Sequence, residues 1–125
     1  MNWLPLTIVV IIVLYLGLLR VKASTPEAAV EFLEAGALLV DVRTPGEFAE
    51  NSVPGSVNYP LSEIESQIAA SGAEKDGTIL LFCWSGRRSG IAMEKLKVMG
   101  YTSVINLGSF GNAMKAAELR GGKEK

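Results

Sequence analysis

Two short, continuous apolar runs constrain the fold of this chain more than any other feature. Residues 37–42 read ALLVDV and residues 78–82 read TILLF. Runs of this length without polar alternation are typical of strands that are covered on both faces of a sheet. Because helical patterns separate the two runs, the sequence predicts an α/β fold with a parallel sheet flanked by helices.

The rest of the chain continues this alternation of helix and strand. Ser24 and Thr25 offer a hydroxyl cap, Pro26 suits the first helical position and Glu27 suits the first turn, so a helix is expected to run to about Ala35. A second helix is expected to begin at Glu47. Further helices are predicted over residues 63–70, 88–99 and 112–119, with extended segments at 57–61 and 103–107 and a frayed tail at 121–125.

The amino-terminal region carries an uncharged apolar stretch, residues 4–19, which reads LPLTIVVIIVLYLGLL. As a helix it would be about 24 Å long, slightly less than the hydrocarbon core of a bilayer. Trp3 precedes the stretch, and Arg20 and Lys22 follow it, which are residue types of the membrane interface. We therefore expect one transmembrane helix within residues 1–22, which contacts the membrane through residues 4–21.

Other interpretations of this segment remain open. Val21, Lys22 and Ala23 include small residues where a signal peptidase would cut, so a cleaved signal is an alternative, and a buried helix is another. The basic residues follow the stretch, and the positive-inside rule then places the following domain in the cytoplasm of a single-pass membrane protein. Cleavage would instead leave a periplasmic or secreted domain. In either case residues 24–120 are expected to form one domain.

Composition excludes several kinds of chemistry. The chain has no histidine, which rules out a Ser-His-Asp triad, a Cys-His protease pair and histidine-ligated zinc. It has a single cysteine, so it forms no intramolecular disulfide. Its 12 basic and 13 acidic residues give no overall field that would favour nucleic acid. We expect neither a metal nor a cofactor, and no nucleic-acid partner.

The single cysteine, Cys83, lies at the end of the second apolar run, in the segment TILLFCWSGRRSG. The carboxyl end of a parallel strand, followed by a short loop into a helix, is where such sheets bind ligands. Backbone N–H groups of the loop and the dipole of the helix favour an anion there. The segment therefore predicts a site for a thiolate or a persulfide at Cys83.

Arg87 and Arg88 add two guanidinium groups beside this cysteine. They are expected to favour the thiolate over the thiol and to attract an anionic sulfur donor, while Ser85 and Gly86 permit a tight loop. The alternative is an inert, buried cysteine beside two solvated arginines.

Two stretches resemble the rhodanese-like sulfurtransferases. Residues 41–61, DVRTPGEFAENSVPGSVNYPL, are similar to the family's strand-end DVR motif, its Glu-aromatic pair and its proline-containing segment. Residues 83–89, CWSGRRS, resemble the family's active loop, which runs from a cysteine to an arginine. The chain departs from the family pattern at Asn51 and Ser52, where Gly-His is usual, and at Ser109, where a second glycine is usual.

The resemblance implies a sulfurtransferase without a cofactor. Cys83 would take a sulfane sulfur from a small anionic donor such as thiosulfate, carry it as a persulfide and pass it to cyanide, a thiol or a protein thiol. Arg88 matches the arginine that closes the loop. The implied substrate-binding residues are Trp84, Ser85, Gly86, Arg87, Arg88 and Ser89, and the implied supporting residues are Asp41, Arg43 and Glu47. For these three, a structural carboxylate–arginine network is the favoured interpretation.

Two other functions compete with this interpretation. A cysteine-dependent phosphatase or arsenate reductase would resemble Cys-x5-Arg, which requires an arginine where this chain has Ser89. A membrane-tethered rhodanese-like module that only binds a partner would ordinarily lack the loop cysteine, which is present here. A membrane sulfur-relay role combines binding and transfer, and the sequence does not separate it from the sulfurtransferase. The sequence therefore favours the sulfurtransferase.

Overall fold

The structure, a computed structural model, describes residues 7–14 and 25–123. Residues 7–14 are helical, and the remaining described residues alternate between helices and strands. The elements are α1 (Pro26–Glu34), β1 (Leu38–Asp41), α2 (Pro45–Glu50), β2 (Val57–Asn58), a 3-10 turn (Leu61–Glu63), α3 (Ile64–Ala70), β3 (Thr78–Phe82), α4 (Arg87–Val98), β4 (Ser103–Gly108) and α5 (Phe110–Lys123).

The strands form one sheet in the order β2-β1-β3-β4, and every pairing between them is parallel. The predicted α/β fold with a parallel sheet is therefore confirmed. Val40 pairs with Leu81 across β1 and β3. Because all the strands point the same way, their carboxyl ends lie along one edge of the sheet, and the segments that follow Asp41, Phe82 and Gly108 meet there.

Helices cover both faces of the sheet, which explains the continuous apolar runs. In β3, Ile79 and Leu81 face one core while Leu80 and Phe82 face the other, because successive strand side chains point to opposite faces. The first core is completed by α3 and α4 through Ile64, Ile68, Ala92 and Leu96. The second is completed by α1 and α5 through Ala29, Leu33, Phe110, Ala113 and Ala116.

The start of α2 corrects one sequence prediction. The helix begins at Pro45 rather than at Glu47, because Thr44 caps it. The Thr44 hydroxyl accepts from the Glu47 N–H at 3.2 Å, and the Thr44 N–H donates to the Glu47 carboxylate at 3.1 Å. This capping box makes Glu47 the third helical residue. The same arrangement of a hydroxyl residue, then proline, starts α1 at Thr25 and Pro26.

Two further elements differ from the sequence predictions. Only residues 57–58 of the predicted extended segment 57–61 form a strand, because Pro60 has no N–H to donate to a ladder and Leu61 begins the 3-10 turn. Helix α5 begins earlier than predicted, where the Ser109 hydroxyl accepts from the Asn112 N–H at 3.1 Å. It also continues to Lys123, so residues 121–123 of the predicted tail are helical; Gly121 lines a cavity with Leu33 and Leu39.

Half of the predicted apolar stretch lies outside the described residues. Of residues 4–19, the structure describes 7–14, where the side chains from Ile8 to Leu14 are each at least half exposed. In the described ranges, no helix combines the length and the apolar character that crossing a bilayer requires.

A buried ion pair fixes the end of β1. Asp41 is fully buried and Arg43 is 3% exposed. The Arg43 Nη2 lies 2.7 Å from Asp41 Oδ2, and the Arg43 Nε donates to Asp41 Oδ1 at 3.0 Å. The same Nη2 also donates to the Asn51 carbonyl at 2.7 Å, which ties the end of α2 to this pair. The two charged side chains therefore bond to each other, and Arg43 also bonds to a backbone carbonyl.

We expect Arg43→Ala to lower the free energy of unfolding by about 3–5 kcal/mol, because it leaves the Asp41 carboxylate buried without its partner. Urea denaturation at neutral pH measures this loss. The matched control is Lys97→Ala, which removes an exposed pair with Glu94 at 3.8 Å and should change stability by less than about 0.5 kcal/mol. A loss for Arg43→Ala as small as that of the control would contradict the role given to the pair.

Candidate active site

Cys83 directly follows β3 at the carboxyl edge of the sheet. Its N–H donates to the Gly108 carbonyl at 3.0 Å, which extends the pairing of β3 with β4 by one residue. The cysteine is only 1% exposed and packs within the core on the α3 and α4 side. The sulfur therefore lies beneath the loop of residues 84–86, and this loop controls access to it.

The loop turns sharply at Gly86. Its φ of +99° lies in the left-handed region, and a Cβ at this position would approach the Gly108 Cα to 3.3 Å. This conformation directs the Gly86 N–H at the cysteine, so that the nitrogen lies 3.0 Å from the Cys83 Sγ. A side chain at position 86 would disturb both the turn and this hydrogen bond.

Ser89, in the first turn of α4, completes the surroundings of the sulfur. It is fully buried, and its Oγ lies 3.6 Å from the Cys83 Sγ. Burial raises the pKa of the Cys83 thiol, but the N–H and hydroxyl of Ser89 and the N–H groups of Gly86 and Ser85 together lower that pKa below its ordinary value of 9.0. The nucleophilic thiolate therefore forms at a lower pH than in an ordinary cysteine.

Arg88 does not point an unoccupied guanidinium at the sulfur. Its Nη1 lies 2.7 Å from Glu47 Oε1 and its Nη2 lies 3.1 Å from Glu47 Oε2, a bidentate pair that joins α4 to α2. The hydrogen bond from Arg88 is the main reason that the pKa of Glu47 falls to about 2. The same bond is the main cause of the raised pKa of Arg88, to which the charge of Cys83 also contributes. Sequence reasoning missed this pairing.

The remaining residues of the loop form its exposed rim. Trp84 is 63% exposed, and its ring stacks on Phe110 with 5.7 Å between centroids. The Arg43 guanidinium lies 4.7 Å from the centroid of the same Phe110 ring, so the rim rests on the buried ion pair through one aromatic side chain. Ser85 forms an isolated antiparallel backbone bridge with Ser109, and the Arg87 side chain is exposed.

Two asparagines that the sequence did not single out hold the site together. The Asn58 Nδ2 donates to the carbonyls of Asp41 and Arg43 at 3.0 and 2.9 Å. The Asn106 Nδ2 donates to the Gly86 carbonyl at 3.1 Å, and its Oδ1 accepts from the Ser89 hydroxyl at 2.7 Å. Asparagine is depleted in strands, so its presence in β2 and β4 was the available signal.

The structure thus brings together most of the predicted site residues at one edge of the sheet. Within residues 7–14 and 25–123, no group of three or more His, Cys, Asp or Glu side chains is arranged to hold a metal ion.

The rhodanese-like domain family matches the chain over residues 25–114. The chain belongs to the rhodanese-like domain family. The predicted family resemblance is confirmed by this match.

Known proteins resemble this rhodanese-like chain. It is 42% identical over 69 residues to the thiosulfate sulfurtransferase PspE of Escherichia coli (strain K12), a match that covers 55% of this chain and 66% of that protein. It is 34% identical over 95 residues to the human thiosulfate:glutathione sulfurtransferase, which covers 66% of this chain and 83% of that protein. The match to PspE therefore spans slightly less than two thirds of that protein's own length.

Among solved structures, a rhodanese with anions from Escherichia coli is similar to this chain. The TM-score is 0.59 and the identity is 38%, and the match covers 62% of this chain and 91% of that structure.

The Glu47–Arg88 pair of this rhodanese-like domain predicts a pH-dependent contribution to stability. The pKa of Glu47 is depressed in the folded chain from 4.5 to about 2, so the contribution is complete above pH 4.5 and is lost as the pH falls toward 2. Because the carboxylate is 35% exposed, we expect solvent screening to limit it to about 1 kcal/mol.

The measurement compares urea midpoints of the wild type and Glu47→Gln at pH 7 and at pH 3. The variant should be less stable at pH 7, and the difference should shrink at pH 3. Glu94→Gln, which removes an exposed carboxylate, serves as the matched control. A difference that stays constant between the two pH values would contradict the assigned pairing.

Proposed function

We propose that this chain is a rhodanese-type sulfurtransferase in which Cys83 carries the transferred sulfur. The observation that carries the proposal is the arrangement around the Cys83 Sγ. The Gly86 N–H donates to it at 3.0 Å and the Ser89 Oγ lies at 3.6 Å, at the carboxyl end of a buried strand. This arrangement stabilises a thiolate, which is the nucleophile that sulfur transfer requires.

The reaction proceeds in two displacements. The Cys83 thiolate attacks the outer sulfur of a donor such as thiosulfate, a new S–S bond forms, and the donor's own S–S bond breaks with its electron pair leaving on sulfite. Cys83 then holds a persulfide. A thiolate or cyanide acceptor attacks the outer sulfur of this persulfide, and the electron pair of the breaking S–S bond returns to Cys83 as thiolate.

Residues of this chain stabilise the anionic species in each step. The loop N–H groups and the amino end of the 12-residue helix α4 supply fixed positive dipoles beside the sulfur. Arg87 is exposed on the rim and attracts an anionic donor, whereas Arg88 is held by Glu47 and braces the loop. The similarity to thiosulfate sulfurtransferases and to a thiosulfate:glutathione sulfurtransferase supports thiosulfate as a donor and a thiol as an acceptor.

A cysteine-dependent phosphatase or arsenate reductase is the weaker candidate. A tetrahedral oxyanion needs a wider ring of N–H donors, and Arg88 follows Cys83 after only four residues. A binding module without catalysis would not need the hydrogen bonds that this site directs at a thiol. Retention of Cys83 and of its donors supports the enzyme.

The chain incubated with thiosulfate should gain the mass of one sulfur atom, because Cys83 retains the sulfur until an acceptor removes it. Intact mass spectrometry measures the gain, and added cyanide should reverse it. Cys83→Ser should show no gain, while Ser66→Ala, on an exposed hydroxyl of α3, should behave as wild type. Absence of any gain with thiosulfate, polysulfide and a protein persulfide would overturn the proposal.

We also propose that residues 4–21 tether this domain to a membrane, with the domain in the cytoplasm. The uncharged sequence of residues 4–19 and the basic residues Arg20 and Lys22 after it support this orientation. Cleavage after Ala23, with a periplasmic or secreted domain, is the competing arrangement.

A reporter fused after Lys125 separates these arrangements. A reporter enzyme that is active only in the cytoplasm should be active in this fusion. The fusion should also sediment with membranes. Deleting residues 1–22 should release the activity from the membrane fraction, because the apolar stretch is then gone. A reporter signal from the periplasm, or loss of the amino-terminal residues from the mature chain, would contradict the proposed tether.

A further inference from the structure

The orientation of the Asn106 amide is fixed by its neighbours. The Gly86 carbonyl can only accept a hydrogen bond, so the Asn106 Nδ2, 3.1 Å away, must be the atom that faces it. The Oδ1 then faces Ser89 and can only accept. The Ser89 hydroxyl, 2.7 Å away, must therefore donate its proton to Asn106.

This donation leaves Ser89 with no proton for the sulfur. A serine hydroxyl has one proton, so with that proton on Asn106 the Ser89 Oγ presents a lone pair to the Cys83 Sγ at 3.6 Å. A lone pair suits a protonated thiol, which donates S–H to it. A thiolate can only accept, so it gains the hydroxyl only if Ser89 turns away from Asn106.

We propose that Asn106 is a positioning residue that holds the Ser89 hydroxyl away from Cys83 while the sulfur is a thiol and releases it when the thiolate forms. The inference rests on the proposed function and adds a step to it. On ionisation the thiol proton goes to a solvent base, the O–H···Oδ1 bond breaks and an O–H···S bond forms. Once the persulfide forms, the negative charge moves to the outer sulfur and the hydroxyl returns to Asn106.

Charged groups around Cys83 set the background for this exchange. On α4, Arg88 interacts electrostatically with Cys83, and Glu47 from α2 neutralises it. At the end of β1, Asp41 and Arg43 form a closed pair. Strand β4, whose sequence is SVINLG, has no titratable side chain, and α3 packs on this core through Ile64 and Ile68. A substitution at position 106 removes none of these charged groups.

The test is a double-mutant cycle between Asn106 and Ser89 that reads the pKa of Cys83. Asn106→Val suits a strand and leaves the Gly86 carbonyl bonded, because that carbonyl also accepts from the Gly90 N–H at 3.0 Å. The rate of alkylation by iodoacetamide and the ultraviolet absorbance of the thiolate are measured against pH in the full chain. Both readouts are taken for the wild type, Asn106→Val, Ser89→Ala and the double variant.

Asn106→Val should lower the pKa of Cys83 by about 0.5–1 unit, the size of one hydrogen bond, because the Ser89 hydroxyl is then free to donate to the thiolate. Ser89→Ala should raise the pKa. With alanine at position 89, Asn106→Val should no longer lower it. The matched control is Asn112→Val, which removes an amide donor to the Leu107 carbonyl at 3.0 Å and should leave the pKa unchanged.

An equal effect of Asn106→Val in both backgrounds, or a raised pKa with Ser89 present, would mean that Asn106 only braces the loop and would overturn the proposal. If the variants do not fold, nuclear magnetic resonance of the wild type decides. The side-chain amide signals of Asn106 should titrate with the same midpoint as Cys83, and an unchanged signal would refute the exchange. Neither readout requires sulfur transfer, so a failed persulfide assay leaves this result separate.

Discussion

The close approach of Gly86 to Gly108 is the constraint on which the site depends. Both residues have positive φ, +99° and +97°, and the space between them would not hold a Cβ on Gly86 without a contact of 3.3 Å. The register between β3 and β4 shifts after Leu81, so that Phe82 pairs with Gly108 and skips one residue. This bulge brings a glycine to the position where the loop must pass. The Cys83 N–H consequently donates to the Gly108 carbonyl, and the Cys83 Sγ accepts a hydrogen bond from the Gly86 N–H.

Two arginine–carboxylate pairs support this arrangement from different depths. Asp41 and Arg43 are buried and fix the end of β1, where a lost partner would leave a charge without water. Glu47 and Arg88 are about one third exposed and connect α2 to the helix that starts at the loop. The first pair therefore contributes to folding, while the second positions the loop relative to the rest of the edge. Asn51, where this chain departs from the family pattern, does not disturb the first pair, because Arg43 donates to the backbone carbonyl of Asn51 and not to its side chain.

The sequence was sufficient to predict the elements whose signals are local. The apolar runs predicted β1 and β3, and the strand-loop-helix pattern predicted the position of Cys83 at the sheet edge. The Glu47–Arg88 pair was not predicted because its partners are 41 residues apart and nothing local indicates which carboxylate an arginine meets. The same holds for Asn106 and Gly86. The extent of α5 was missed because Gly121 argues against a helix locally, although the helix continues to Lys123.

Reactivity and access are assigned to different parts of the loop. The groups that lower the pKa of Cys83 are backbone N–H groups and the buried Ser89, whose positions follow from the turn at Gly86 and from Asn106. The side chains of Trp84 and Arg87 are exposed on the rim of the loop. Because backbone donors do not change with side-chain identity, the rim can vary in charge and shape while the sulfur keeps its environment. A loop of this kind can therefore change its donor or acceptor without rebuilding the nucleophile.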